Sequence, residues 1–164
     1  MKYVLIGKLV NTHGLKGEVR ILSDFKYKDK IFIPGMKIYI GKNKTCETIK
    51  TYRHHKIFEM ITMESYNDIN QVLKYKGDYV FVNKEDIKLG ENEYLDEDII
   101  GLDVYVENNK YLGKVKEIND HGKNRLLMVT DKKTYLIPYN SDIILSIDIK
   151  NNKMDVKNIV GWFD

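Results

Sequence analysis

The chain has 164 residues, 43% of them apolar, enough to give one ordinary domain or two small ones a core, and 27 Lys and Arg against 24 Asp and Glu leave a net charge of only +3. No window approaches the roughly 18 uninterrupted apolar residues of a membrane span, and Lys8 breaks the N-terminal apolar run before a signal-peptide core can form. A single cysteine, Cys46, excludes an intrachain disulfide and a cysteine-built zinc site, so we expect a folded cytoplasmic protein with no membrane contact and with Cys46 packed as a small apolar residue.

Segments of period 2, rich in Ile, Val and Tyr and separated by Gly, Asn and Asp, predict an all-β chain. In the first half they fall at Tyr3 to Val10, Glu18 to Leu22, Lys37 to Ile40, Glu47 to Tyr52 and Ile57 to Met63, which suggests a small closed sheet. One segment departs from alternation. Ile69, Val72 and Leu73 stand at i, i+3 and i+4, Asn67 or Asp68 can cap the first turn, and Gly77 can end it in a left-handed conformation, so a short helix is expected here. A last strand, Tyr79 to Val82, leads into the polar stretch from Asn83 to Glu93, the candidate linker.

The second half reads as further short strands: Leu102 to Glu107, Tyr111 to Ile118, Leu126 to Thr130, Thr134 to Ile137, Ile143 to Asp148 and Met154 to Val156. Asn108-Asn109 and Asn151-Asn152 mark tight turns, because Asn tolerates positive φ, and Asp131-Lys132-Lys133 closes another hairpin. The two halves do not repeat one another. Their charges differ: residues 1–90 carry 17 Lys and Arg against 10 Asp and Glu, a net of +7, whereas residues 91–164 carry 10 against 14, a net of −4. A basic module joined to an acidic one suits a protein that meets a polyanion at one end and a basic protein at the other.

The run Gly7-Lys8-Leu9-Val10-Asn11-Thr12-His13-Gly14-Leu15-Lys16-Gly17-Glu18-Val19-Arg20 resembles the N-terminal signature of the RimM family of ribosome maturation factors. Asp98-Ile99-Ile100-Gly101-Leu102-Asp103-Val104, Leu112-Gly113-Lys114-Val115 and Tyr135-Leu136-Ile137-Pro138-Tyr139 resemble the PRC-barrel domain that follows it in that family. The resemblance implies two small β-barrels in tandem with one short helix, a translation-factor-like barrel over 1–88 and a PRC-barrel-like domain over 94–164, joined by a linker at 89–93. It also implies a non-enzymatic factor that binds the assembling 30S subunit at its head, contacts small-subunit ribosomal protein number nineteen, and assists the processing and folding of 16S rRNA. We expect a monomer that uses no cofactor and no metal.

Candidate contacts follow from side-chain chemistry. His13, Lys16 and Arg20 put cations and a stacking imidazole around a glycine turn, as a phosphate or an unpaired base requires. Gly14 and Gly17 are accounted for equally well by backbone geometry alone. Lys26 and Lys28, alternating with Phe25 and Tyr27, and the cluster Arg53-His54-His55-Lys56 could track a sugar-phosphate backbone, although a solvated charged face reads the same way. His54 and His55, adjacent on a strand, point to opposite faces, which argues against joint metal ligation. For a protein partner the candidates are Tyr94, an aromatic at the module junction, and its acidic neighbours Asp96 and Asp98.

Two features depart from the family pattern. A Tyr-Tyr or Tyr-Trp pair is usual where this chain has Tyr94-Leu95, and Gly122-Lys123-Asn124-Arg125 places two cations where Ala and Asp are usual, making that turn basic. Two other readings stand beside this one. One is a PRC-barrel adaptor for a non-ribosomal partner. The other is a nucleic-acid-processing enzyme, which the absence of a nucleophile elbow, a Walker loop and an H-E-x-x-H motif disfavours.

Overall fold

Strand β1 (Tyr3–His13) buries Ile6 and Leu9 while exposing Tyr3, Leu5 and Lys8, the two-sided pattern of a sheet with one face on a core. The computed structural model describes residues 1–121 and 124–158, which fall into two compact units, Met1–Gly90 and Glu91–Asp164. In the first, β1 is followed by β2 (Glu18–Leu22), β3 (Lys37–Ile40), β4 (Thr45–His55), β5 (Phe58–Met63) and β6 (Tyr79–Asn83). These six close into a barrel in the order β1-β2-β5-β4-β3-β6, so that β1 pairs antiparallel with both β2 and β6. Inward residues of successive strands fill it, among them Ile6, Leu9, Val19, Ile21, Ile49 and Ile61.

The helix expected after Asn67 forms as α2 (Ile69–Val72) and runs on as a 3-10 turn over Leu73–Tyr75. Asp68 and Gln71 build a reciprocal capping box at its start, and Gly77 leaves it at φ +90. To this the structure adds two single turns, α1 (Lys28–Ile31) between β2 and β3, and α3 (Asp96–Ile99) in the second unit. Four residues are too few to show a helical period in sequence. The polar stretch after β6 begins with a 3-10 turn at Lys84–Asp86, and Ile87 is buried.

The second unit is a six-stranded sheet of β7 (Asp103–Val106), β8 (Lys110–His121), β9 (Asn124–Thr130), β10 (Thr134–Pro138), β11 (Ile144–Asp148) and β12 (Lys153–Val156). Its order is β10-β9-β8-β7-β12-β11, with β12 parallel to β7 and the other described pairs antiparallel. Ile99, Leu102, Val104, Val115, Leu127 and Val129 form its core. Both Asn turns use positive φ, at Asn108 and Asn152. No helix among the described residues is long and apolar enough to cross a membrane.

Cys46 is a correction: it is exposed, not packed as a small apolar residue. Its neighbour Glu47 faces inward instead, where the Tyr75 hydroxyl donates to its carboxylate. An inward carboxylate reverses the alternation that composition suggests for this strand.

Gly113, in the L-G-x-V stretch, sits at φ +138, and a Cβ there would lie 2.5 Å from the Thr130 carbonyl carbon and oxygen on β9. Gly101 has a positive φ with open space around it. Gly113→Ala should therefore destabilise the second unit by about 2 kcal/mol or more, and Gly101→Ala by about 1 kcal/mol. Urea unfolding of the two variants checks this, and equal effects would remove the steric argument.

Candidate nucleic-acid interface

Two hairpins end at one rim of the first barrel. The β1–β2 hairpin closes at His13 opposite Glu18 and leaves a four-residue tip, Gly14-Leu15-Lys16-Gly17. The β4–β5 hairpin closes at His55 opposite Phe58 and leaves Lys56-Ile57. Because β2 pairs with β5, the tips are neighbours, and the His13 and His55 rings lie 6.4 Å apart. Gly14 and Gly17 take φ +75 and +87, and Lys56 takes +56. The backbone N–H of Ile69 donates to the Leu15 carbonyl at 2.9 Å, so α2 holds the first tip in place. A Cβ on Gly17 would come within 3.2 Å of the Asp68 backbone, whereas one on Gly14 would meet nothing within 4 Å.

Arg53 donates twice to Glu18, at 2.9 and 2.7 Å, in the bidentate geometry that suits guanidinium and carboxylate. The Arg53 hydrogen bonds hold the Glu18 carboxyl below its ordinary value against the opposing effect of burial, and the charge of Arg53 adds to the shift. Arg20 lies with its guanidinium 5.4 Å from the Phe58 ring centroid and donates to His13 Nδ1 at 2.7 Å. A guanidinium can only donate, so Nδ1 is the acceptor and the ring proton of His13 is on Nε2. Desolvation, followed by the positive charges of Arg53 and Lys56, pushes the His55 ring below its usual value.

His54 faces the other way, as expected for neighbours on a strand. Its Nδ1 donates to Glu59 Oε1 at 2.9 Å, and the same oxygen accepts from the Tyr52 hydroxyl at 2.7 Å. Glu59 is only 1% exposed. Burial, reinforced by this bond, pushes the Tyr52 phenol up to about 12. Among the described residues no group of three or more His, Cys, Asp or Glu could hold a metal ion.

The structure thus gathers His13, Lys16, Arg20, Arg53 and Lys56 at one rim, Lys16 and Lys56 being exposed and Arg20 half-buried. Lys26 and Lys28 are not part of it. They follow the far end of β2, Lys26 against the Tyr27 ring and Lys28 in α1, where lysines two apart no longer share a face as they would on a strand. The sequence reading passes over two residues at the rim, Leu15 at 82% and Ile57 at 69% exposure. The signal for both is a large aliphatic residue placed at a turn beside a lysine.

In the second unit Tyr94 is half-buried against the core, which gives it a structural share besides any contact role. Asp96 is engaged: Arg125 donates to it at 2.6 Å, donates to Asp120 at 2.6 Å, and lies 5.3 Å from the Tyr139 ring. Arg125 therefore neutralises the acids beside it, and the turn is not basic on its account. Lys123 lies outside the described residues. Asp98 is half-buried in α3.

A family model described as the RimM N-terminal domain matches residues 4–87, and one described as the RimM PRC barrel domain matches residues 96–162. The chain belongs to the RimM family. The ribosome maturation factor RimM of Staphylococcus haemolyticus is 41% identical over 98% of this chain and 99% of its own, and that of Shouchella clausii is 35% identical over 97% and 96%. A crystal structure of a 16S ribosomal RNA processing protein RimM from Pseudomonas aeruginosa aligns over 96% of this chain and 98% of that one, at 20% identity and a TM-score of 0.48. RimM proteins are non-enzymatic ribosome maturation factors, which agrees with the non-catalytic expectation.

Because Glu18 has its pKa lowered on folding, it stabilises the first unit above its ordinary value of 4.5 and loses that contribution as pH falls through the lowered value. Arg53 is half exposed, so the contribution is less than about 1 kcal/mol. Glu18→Gln should lower the urea midpoint slightly at pH 7 and flatten its decline as the pH falls through 4.5 and below. Identical acid profiles for the variant and the parent would rule out this pair as a contributor.

Proposed function

We propose that the chain is a ribosome maturation factor that binds the assembling small subunit, with the rim of the first barrel on 16S rRNA and the acidic second module on a basic ribosomal protein, small-subunit protein number nineteen. One observation carries the reading: two neighbouring hairpin tips, whose His13 and His55 rings lie 6.4 Å apart, place the exposed Lys16 and Lys56 at one rim with Arg20 and Arg53. Long-range attraction to a polyanion needs cations that are not already paired within the fold, and the outward lysines supply them. The half-exposed Arg53 and the His13 ring add shorter-range contacts to phosphate or to an unstacked base.

Arg20 has a different part, that of holding the His13 ring. On the second module Tyr94 and Asp98 are the proposed contacts, with Asp96 contributing less because Arg125 already takes its charge. We take residues 1–88 as the RNA-binding module, 89–93 as the linker and 94–164 as the protein-binding module. Such a factor would hold a transient RNA and protein surface and leave when the mature subunit no longer offers the same differential contacts.

The test is the double variant Lys16→Ala, Lys56→Ala in the full chain. Its unfolding should stay within about 0.5 kcal/mol of the parent, since both side chains are exposed. Affinity for precursor small subunits should fall, and the slope of log affinity against log salt should flatten by about 0.7 to 0.9 for each phosphate that is no longer neutralised. An unchanged affinity and slope would remove the rim from the RNA interface.

A further inference from the structure

The family signature opens with Gly7-Lys8, and neither residue lies on the rim. β1 pairs with β2 from Lys8 to His13 and with β6 from Tyr3 to Lys8, so where β2 ends at Leu22 one flank of β1 is left uncovered. A groove of about 440 Å³ opens there, bordered by Leu5, Gly7, Lys8, Leu22, Asp24 and Tyr79. That volume lies in the range of roughly 300–1,000 Å³ found for small-ligand clefts. Gly7 keeps its walls together: a Cβ would fall 2.5 Å from the Leu22 carbonyl oxygen. Tyr79 and Leu5 stand 53% and 52% exposed, an outlay of apolar surface to water that the barrel core does not require.

We infer that this groove takes one unpaired nucleobase of single-stranded RNA, stacked on Tyr79 between Leu5 and Leu22, with Lys8 toward its phosphate and Asp24 toward its pairing edge. The inference rests on the RNA reading of the first module but concerns a separate surface. The aromatic ring and aliphatic walls suit the face of a base, which stacks without regard to sequence. The Lys8 ammonium, 5.5 Å from the Tyr79 ring centroid, supplies the charge complement in a module of net +7. Asp24 would repel a phosphate, yet a carboxylate offers two acceptors to the adjacent N1–H and N2–H groups of guanine. The same arrangement continues along the strands. Phe81, opposite Leu5 across β1 and β6, has Lys44 Nζ 4.3 Å from its centroid and Tyr3 at its edge, so RNA leaving the groove meets a second ring with its own lysine.

The experiment uses the full chain and two six-nucleotide RNAs, all uracil and uracil with one central guanine, with binding read by fluorescence anisotropy at 0.15 M salt. The guanine RNA should bind about fivefold tighter than the uracil one. Tyr79→Ala should weaken both about tenfold with an unchanged Tm, and Tyr79→Phe should retain binding. Asp24→Asn should abolish the guanine preference while leaving the uracil RNA unaffected. The Lys16→Ala, Lys56→Ala variant should keep the fivefold guanine preference whatever its overall affinity for the two oligonucleotides, so failure of the rim and failure of the groove are distinguishable. Equal binding by the parent and Tyr79→Ala overturns the site, as does an equal loss in Tyr79→Phe. Should Tyr79→Ala bind RNA normally but lose a ribosomal protein, the groove is a peptide site and the inference fails.

Discussion

The first unit depends on a single strand serving two neighbours. β1 spends its N-terminal half on β6 and its C-terminal half on β2, shifting register between Leu5 and Gly7 and again between Leu9 and Asn11. Bulges of this kind sharpen the local twist, and here they accompany the turn of the sheet back on itself into a barrel. The segment after β5 secures the same strand again where Gly77 and Asp78 bond to Leu9, and secures the turn beyond it where Ile69 bonds to Leu15. Shared pairing explains why the barrel has a rim at one end of β1 and a groove at the other.

The three arginines of this protein are each held by something. Arg53 has Glu18, Arg20 has His13 and the Phe58 ring, and Arg125 has two aspartates and the Tyr139 ring. Arginine suits those places because its planar fork stacks and donates at once, while a lysine is a mobile, strongly hydrated point charge. The division of labour follows: arginines stiffen the surface layer, and the lysines at the turns keep their charge available.

Strand alternation is the most legible feature. It locates all twelve strands among the described residues, and Glu18–Leu22 and Lys37–Ile40 run to the residue. β4 extends past Tyr52 to His55 because Arg53 and His54 look like loop residues until Glu18 and Glu59 appear beside them. The parallel pairing of β7 with β12 could not be read, since Asp103 and Lys153 are fifty positions apart and no periodicity encodes a partner. At the site, the signature points to His13, Lys16 and Arg20, and the charged run to Arg53 and Lys56. That these form one rim is a matter of β2 pairing with β5. Tyr79 and Gly7 give no sequence sign of belonging together, because β6 returns to β1 only after four other strands have passed.

Cys46 lies at the opposite end of β4 from His55, nine residues and therefore roughly 30 Å along the strand. It is exposed, and the sequence contains no other cysteine. The native protein thus already carries one addressable thiol, distant from the hairpin tips and paired across the ladder with Tyr39. A spin label or a tethered radical-generating chelate attached there would report distances to a bound ribosomal particle without removal or addition of any residue, and its attachment would leave the basic rim chemically untouched.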